Sequence, residues 1–161
     1  MIGWLLDTNV IAELIRPTGD ERVKHWAATR DEATFHLSIL TIAEYDKGIA
    51  NLANDDPRRT RFMATRDSLA ARFADRLLAI SDPIIRRWGI IGGTVRRDTG
   101  HPPPVIDTML AATALEHDLY LVTRNIRDVR DSGAALFDPW QNEPLAFPIV
   151  ARSRRLRRPN A

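Results

Sequence analysis

Ile2-Gly3-Trp4-Leu5-Leu6-Asp7-Thr8-Asn9-Val10-Ile11 decides the fold. The run Ile2–Leu6 is continuously apolar, as a strand buried on both faces of a parallel sheet must be. It stops at a carboxylate. From Asn9 onward, Val10, Ile11, Leu14 and Ile15 fall at helical spacing and end before Pro17. A buried strand that passes through an acid into a helix is the opening of an α/β domain.

The same grammar continues along the chain. Asp20 can cap a helix to about Ala28, with Val23 and Trp26 inward. Thr34–Ser38 reads as a second strand, and Thr41 to about Ala53 as a helix with Ile42, Tyr45, Ile49 and Leu52 in register. Asn54-Asp55-Asp56-Pro57 turns into a long Arg- and Ala-rich helix reaching Leu78, striped by Phe62, Leu69, Phe73 and Leu77. Ser81-Asp82-Pro83 starts another, with Ile84, Ile85, Trp88 and Ile91 buried; Gly92-Gly93 predicts a bend or an early end. The proline run Pro102–Pro104 leads into a helix over Val105–His117. Leu119–Thr123 is a strong strand and Ala135–Phe137 a weak one. Interleaved helices and buried strands predict an α/β domain with a mainly parallel central sheet over residues 1–150, followed by a tail, 151–161.

At 161 residues, 44% of them hydrophobic, the chain has the size of one domain. It contains no cysteine, which excludes disulfides, thiolate metal sites and a cysteine nucleophile. The apolar N-terminal run is too short for a secretory signal, and no stretch approaches the ~20 apolar residues of a membrane span. A soluble cytoplasmic protein is the expectation. The net charge is +2 and the pI about 9.5. Arg152, Arg154, Arg155, Arg157 and Arg158 supply five of the 23 basic residues. Residues 1–151 thus hold 18 basic groups against 21 acids, a net of −3. The basic character belongs to the tail and does not by itself mark a nucleic-acid binder.

In an open parallel sheet, functional groups gather beyond the carboxyl ends of the strands. Asp7, Glu44, and Asn125 with Asp128 all fall there, and Asp107 joins them if its helix starts at the same edge. Each has a plainer reading. Asp7 could cap the first helix. Thr41-Ile42-Ala43-Glu44 fits a capping box. Asp107 complements a helix dipole, and Asp128 could be a solvated loop charge. Together, several carboxylates at one edge repel one another unless a cation offsets them. Oxygen ligands without Cys or a paired-His motif suit Mg²⁺ or Mn²⁺, and the chemistry implied is metal-assisted phosphate-ester hydrolysis. Haloacid-dehalogenase-type enzymes also place Asp after a first strand, but need a second Asp two residues on; Asn9 stands there and cannot transfer the proton. The four histidines are scattered. The Trp and Phe positions read as core.

These motifs, Leu5–Ile11, Ser38–Glu44, Asp107–Ala114 and Leu121–Asp128, resemble in order and spacing those of the PIN-domain family, and within it the VapC-type toxins of the FitB-like branch. The resemblance covers roughly residues 1–142. It implies a PIN-like three-layer α/β/α fold and a metal-dependent endoribonuclease, the toxin of a VapBC-type pair, that forms homodimers and toxin–antitoxin hetero-oligomers with a VapB-type antitoxin. By motif, Asp7, Glu44 and Asp107 would be the metal-binding acids. The fourth position falls on Asn125, an amide, with Asp128 as the other source of charge. Thr8, Asn9 and Thr123 would support the site. Arg96, Arg97, Arg152, Arg154 and Arg155 are candidate RNA contacts, as are Arg58, Arg59, Arg61 and Arg66 on the long helix, whose plainer reading is a solvated face. A PIN-like RNA-binding module that has lost catalysis and a single-stranded DNA nuclease are the alternatives.

Overall fold

The computed structural model describes residues 2–141 and the strand 143–146. Six strands form one sheet: β1 (Gly3–Leu6), β2 (Phe35–Ser38), β3 (Leu77–Leu78), β4 (Leu119–Val122), β5 (Leu136–Asp138) and β6 (Glu143–Ala146). Their order is β3-β2-β1-β4-β5-β6; the first five are parallel and β6 runs antiparallel beside β5. The helices are α1 (Thr8–Ile15), α2 (Glu21–Ala28), α3 (Ile39–Ala50), α4 (Arg58–Arg72), α5 (Asp82–Thr99), α6 (Val105–Glu116) and α7 (Ile126–Val129). The three-layer α/β/α architecture expected from the sequence is the one observed.

Strand alternation divides the core. Trp4 and Leu6 point to one face, where Tyr120, Val122 and Phe137 meet α1, α2 and α4. Trp4 packs edge-on to Trp26 at 5.4 Å and stacks on Tyr120 at 5.2 Å, and Trp26 stacks on Phe35 and Phe137. Leu5, Leu119, Leu121 and Leu136 point to the other face, against Leu110, Ala111 and Ala114 of α6. All seven residues Thr108–Ala114 are buried, because α6 lies between the sheet and α5. Of the aromatic residues expected in the core, Trp4, Trp26 and Trp140 are each less than 9% exposed, whereas Phe62 and Trp88 are only partly buried.

Four local expectations need correction. First, α3 begins at Ile39, capped by the Ser38 hydroxyl accepting from the Leu40 N–H at 3.2 Å. Thr41 is therefore inside the helix and fully buried, and no capping box with Glu44 forms. Second, α4 ends at Arg72, and Leu77-Leu78 pairs with β2 as an edge strand. Leu77 lies four residues beyond Phe73, a spacing that suits a helix and cannot reveal a two-residue strand. The Arg76 guanidinium holds this turn by donating to the carbonyls of Glu32, Phe35 and Arg72. Third, α5 runs unbroken through Gly92-Gly93, since Ile84, Ile91 and Val95 pack on α6 along its length; tertiary contact overrides the weak local propensity. Fourth, Ile85 on α5 is exposed rather than buried.

A β-carbon added at Gly92 or Gly93 would meet nothing within 4 Å. Each glycine weakens a helix interior by roughly 0.5–1 kcal/mol relative to alanine. Gly92→Ala and Gly93→Ala should each raise the unfolding free energy by about that amount, read as a higher urea midpoint at unchanged m-value; a lower midpoint would contradict it.

Candidate active site

The strand order reverses direction at β1, whose two neighbours are β2 and β4. Crevices in parallel sheets open at such switch points, beyond the strand carboxyl ends. Asp7 follows β1 and Thr123 follows β4, with Leu6 opposite Val122 and the Asp7 N–H donating to the Val122 carbonyl at 3.0 Å.

Asp7 is both a helix cap and the centre of the site. Its Oδ1 accepts from the Thr8 N–H at 2.6 Å. Its Oδ2 accepts from Thr123 Oγ1 at 2.6 Å and from Asn9 Nδ2 at 2.9 Å. The carboxylate is 5% exposed. Thr8 turns outward, and its hydroxyl donates to Glu44 Oε2 and lies 3.4 Å from Thr41 Oγ1. Glu44, one and a half turns into α3, is thus tied to the first turn of α1. Asp107 lies in the first turn of α6. The Asn125 side chain hydrogen-bonds it, and Asp128 is near enough to raise its pKa. Both candidates for the fourth position are therefore at the site: the amide bonds Asp107, and the acid adds charge beside it. The Asn125 N–H in turn donates to Thr123 Oγ1 at 2.9 Å.

The electrostatics follow from burial. The Asp7 carboxyl is pushed up to about 6, chiefly by burial; the Asp107 and Glu44 charges add to the rise, while the bonds from Thr123 and Thr8 oppose it. Asp107 is also raised, again mainly by burial, with Asp128 adding and Asn125 opposing. Among the described residues, no Lys, Arg or His forms an ion pair with Asp7, Glu44, Asp107 or Asp128. The sequence placed Asp7, Glu44 and Asp107 together as a metal-holding trio. Among the described residues, however, no group of three or more His, Cys, Asp and Glu side chains is arranged to hold a metal ion by itself. Glu44 is turned to Thr8, and Asp107 to Asn125. The donor set still fits a hard divalent cation: all oxygen, lacking a counter-charge, and centred on one buried carboxylate. Mg²⁺ needs only one or two direct carboxylates and keeps its waters.

Known proteins bear on this geometry. The PIN domain model matches residues 4–131. The chain belongs to the PIN-domain family. It is 32% identical over 138 residues to Toxin FitB of Neisseria gonorrhoeae, covering 86% of this chain and 99% of that one. It is 28% identical over 138 residues to the VapC ribonuclease Y4jK of Sinorhizobium fredii, covering 85% and 97%. The solved structure of FitAcB from Neisseria gonorrhoeae superposes with a TM-score of 0.74 at 32% identity, over 85% of this chain and 98% of that one. Among the described residues of this PIN-domain chain, no helix is long and apolar enough to cross a membrane.

The arginines sort differently from the sequence reading. Arg58 is paired with Asp56 at 2.7 Å, and Arg66 with Asp46 and Asp67. Arg59 donates to the Ile49 and Leu52 carbonyls at the end of α3. Arg97 pairs with Asp98 at 2.7 Å. Arg96, in the last turn of α5, and Arg61 form no ion pair among the described residues. Arg152, Arg154 and Arg155 lie outside the described residues. Arg61 lines a groove of ≈ 350 Å³ with Thr8, Glu44, Tyr45 and Phe62. No sequence signal announced this groove, because its walls come from α1, α3 and α4.

A raised Asp7 pKa means that the folded state holds this proton more tightly than the unfolded chain. The metal-free protein should therefore lose stability as pH rises from about 4 through 6, by up to roughly 3 kcal/mol for a two-unit shift. Asp7→Asn should lack this slope and be the more stable of the two at pH 8 in chelator. Parallel slopes in urea titrations at pH 4, 6 and 8 would contradict the assignment.

Proposed function

We propose that this PIN-domain chain is the toxin of a toxin–antitoxin pair, acting in the cytoplasm as a Mg²⁺- or Mn²⁺-dependent endoribonuclease. The observation that carries the reading is the buried Asp7 carboxylate, held by three donors within electrostatic reach of Asp107 and Glu44, with no Lys, Arg or His ion-paired to them among the described residues. The names of the relatives support it: one is a toxin and one a VapC ribonuclease. The catalytic unit would be residues 1–150, with 151–161 as a basic appendage.

A divalent ion held by Asp7, Glu44 and Asp107 would supply charge neutralisation at the phosphate and acidify a water. Thr123 and Asn9 fix the Asp7 oxygens. Thr8 holds Glu44 against the first turn of α1. Asn125 orients Asp107, and Asp128 is the exposed acid positioned to take a proton to solvent. The products would be a 5′-phosphate and a 3′-hydroxyl. Asn125 keeps a bonding role in this arrangement, which favours an enzyme over a module that has lost catalysis.

The solved FitAB and VapBC assemblies are complexes of toxin with antitoxin. By this analogy a VapB-type antitoxin would be the partner, in a hetero-oligomer built on a toxin homodimer. The apolar groove beside Glu44, rimmed by Arg61, is where an antitoxin segment would reach the site.

Purified protein should cleave single-stranded or looped RNA with Mg²⁺ or Mn²⁺ and stop with chelator. Asp7→Asn should abolish cleavage, and Thr123→Val should lower it about tenfold to a hundredfold through loss of ligand positioning. Cleavage by Asp7→Asn at the wild-type rate would overturn the proposal, and digestion of single-stranded DNA in preference to RNA would reassign the substrate. Deleting Arg152–Ala161 should weaken RNA binding and flatten its salt dependence; an unchanged slope would remove the tail from substrate binding.

A further inference from the structure

Arg124 follows Thr123 directly, and its surroundings give it a role that the acid motif does not. Its backbone N–H donates to Asn9 Oδ1 at 3.4 Å, and Asn9 Nδ2 donates to Asp7 Oδ2. Its guanidinium carbon lies 5.4 Å from the ring centroid of Trp140. Trp140 is itself anchored: it is 8% exposed, and its backbone N–H donates at 2.9 Å to Asp138 Oδ1, on the residue that ends β5 at the same edge of the sheet. A ring this buried cannot serve as a stacking platform for a nucleobase, so the guanidinium is what uses its face. Arg124 is exposed and, among the described residues, forms no ion pair. Arg58, Arg66 and Arg97 are each held by carboxylates instead.

We propose that Arg124, steadied on Trp140, is the fixed cationic contact for a backbone phosphate of RNA entering the site. The inference rests on the ribonuclease reading above. A cation–π contact consumes no N–H donor, so the guanidinium keeps the donors that grip a phosphate. An arginine already ordered by a ring loses less freedom on binding than one waving in solvent. The need is electrostatic: Asp7, Glu44, Asp107 and Asp128 repel a polyanion, and residues 1–151 carry a net charge of −3. An acidic peptide would also be attracted to a free arginine. The strand-end position beside Asp7 favours the phosphodiester, since a substrate aligned for cleavage must pass there.

The test measures binding of fluorescein-labelled single-stranded RNA by anisotropy across a salt series. The full chain carrying Asp7→Asn, which leaves the RNA intact, is the parent. Adding Arg124→Gln should raise Kd about tenfold at low salt, as loss of a charged hydrogen bond does. It should also make the log–log salt slope shallower by about 0.7, one single-strand phosphate contact. The loss should be equal on U-rich and A-rich oligomers, because phosphate contacts carry no sequence. Arg124→Lys should restore the slope with only part of the affinity. An unchanged Kd and slope in Arg124→Gln, with the parent binding RNA normally, would overturn this assignment alone. A parent that binds no RNA would bring down the ribonuclease reading with it. Loss of binding to a polyglutamate peptide, with RNA binding untouched, would reassign Arg124 to a protein partner and also overturn the proposal.

Discussion

The structure turns on one buried carboxylate. Asp7 ends β1, caps α1 and takes the hydroxyl of Thr123 from the neighbouring strand. Those three bonds fix where the first helix leaves the sheet and how β1 and β4 are aligned at their carboxyl ends. They also hold a charge where water is nearly absent. Burial opposes that charge more strongly than the bonds support it, so the carboxyl is displaced to about 6. A group used only as a cap could sit in solvent and perform the same service more cheaply. Burial beside Asp107 and Glu44 makes sense when the charge has a cation to meet.

That arrangement requires a rigid floor. Side chains two residues apart on a strand share a face, so a slip of one residue would send Asp7 to the wrong side of the strand end. The aromatic slab of Trp4, Trp26, Tyr120 and Phe137 guards against it. Trp4 touches α2, β4 and β5 partners at ring-centroid distances of 5.2–5.4 Å. On the opposite face, the uninterrupted buried surface of α6 sets the height at which Asp107 arrives. The acidic edge is thus carried by strand ends and the first two turns of helices, elements whose positions are determined by packing on both sides of the sheet.

The sequence showed this edge because its grammar is local. Strand, acid and helix follow within a few residues at Asp7, and Asp107 and Glu44 sit in the first and second turns of helices that apolar neighbours reveal. Features made by distant segments were invisible. Leu77-Leu78 is a strand only because Phe35–Ser38 lies beside it. Thr41 looked like a cap, yet Ser38 fills that place and leaves Thr41 inside, beside Thr8. Glu44 and Asp107 lie within electrostatic reach of Asp7, but their orientation toward Thr8 and Asn125 depends on contacts across more than one element. The groove beside Glu44 has no contiguous signature for the same reason.

Arginine shows the limit most clearly. Its charge is certain from sequence, but its availability is decided by tertiary neighbours. Arg59 and Arg76 cover backbone carbonyls at the ends of α3 and α4, Arg87 bridges α5 to Glu116 on α6, and Arg72 clasps Glu32. These cations stabilise the scaffold and contribute little to attracting a polyanion. Summing them into an isoelectric point therefore overstates the positive surface offered to RNA. What matters at the catalytic edge is the few guanidinium groups left without a carboxylate, and how firmly each is held. A charge fixed by an aromatic face near Asp7 would act at short range on a bound polyanion, whereas a cluster of charges in the sequence 152–158 would act over about a Debye length. Under the ribonuclease reading proposed above, the two kinds of positive charge would answer different problems: one would collect the substrate, the other would set its register against the acids.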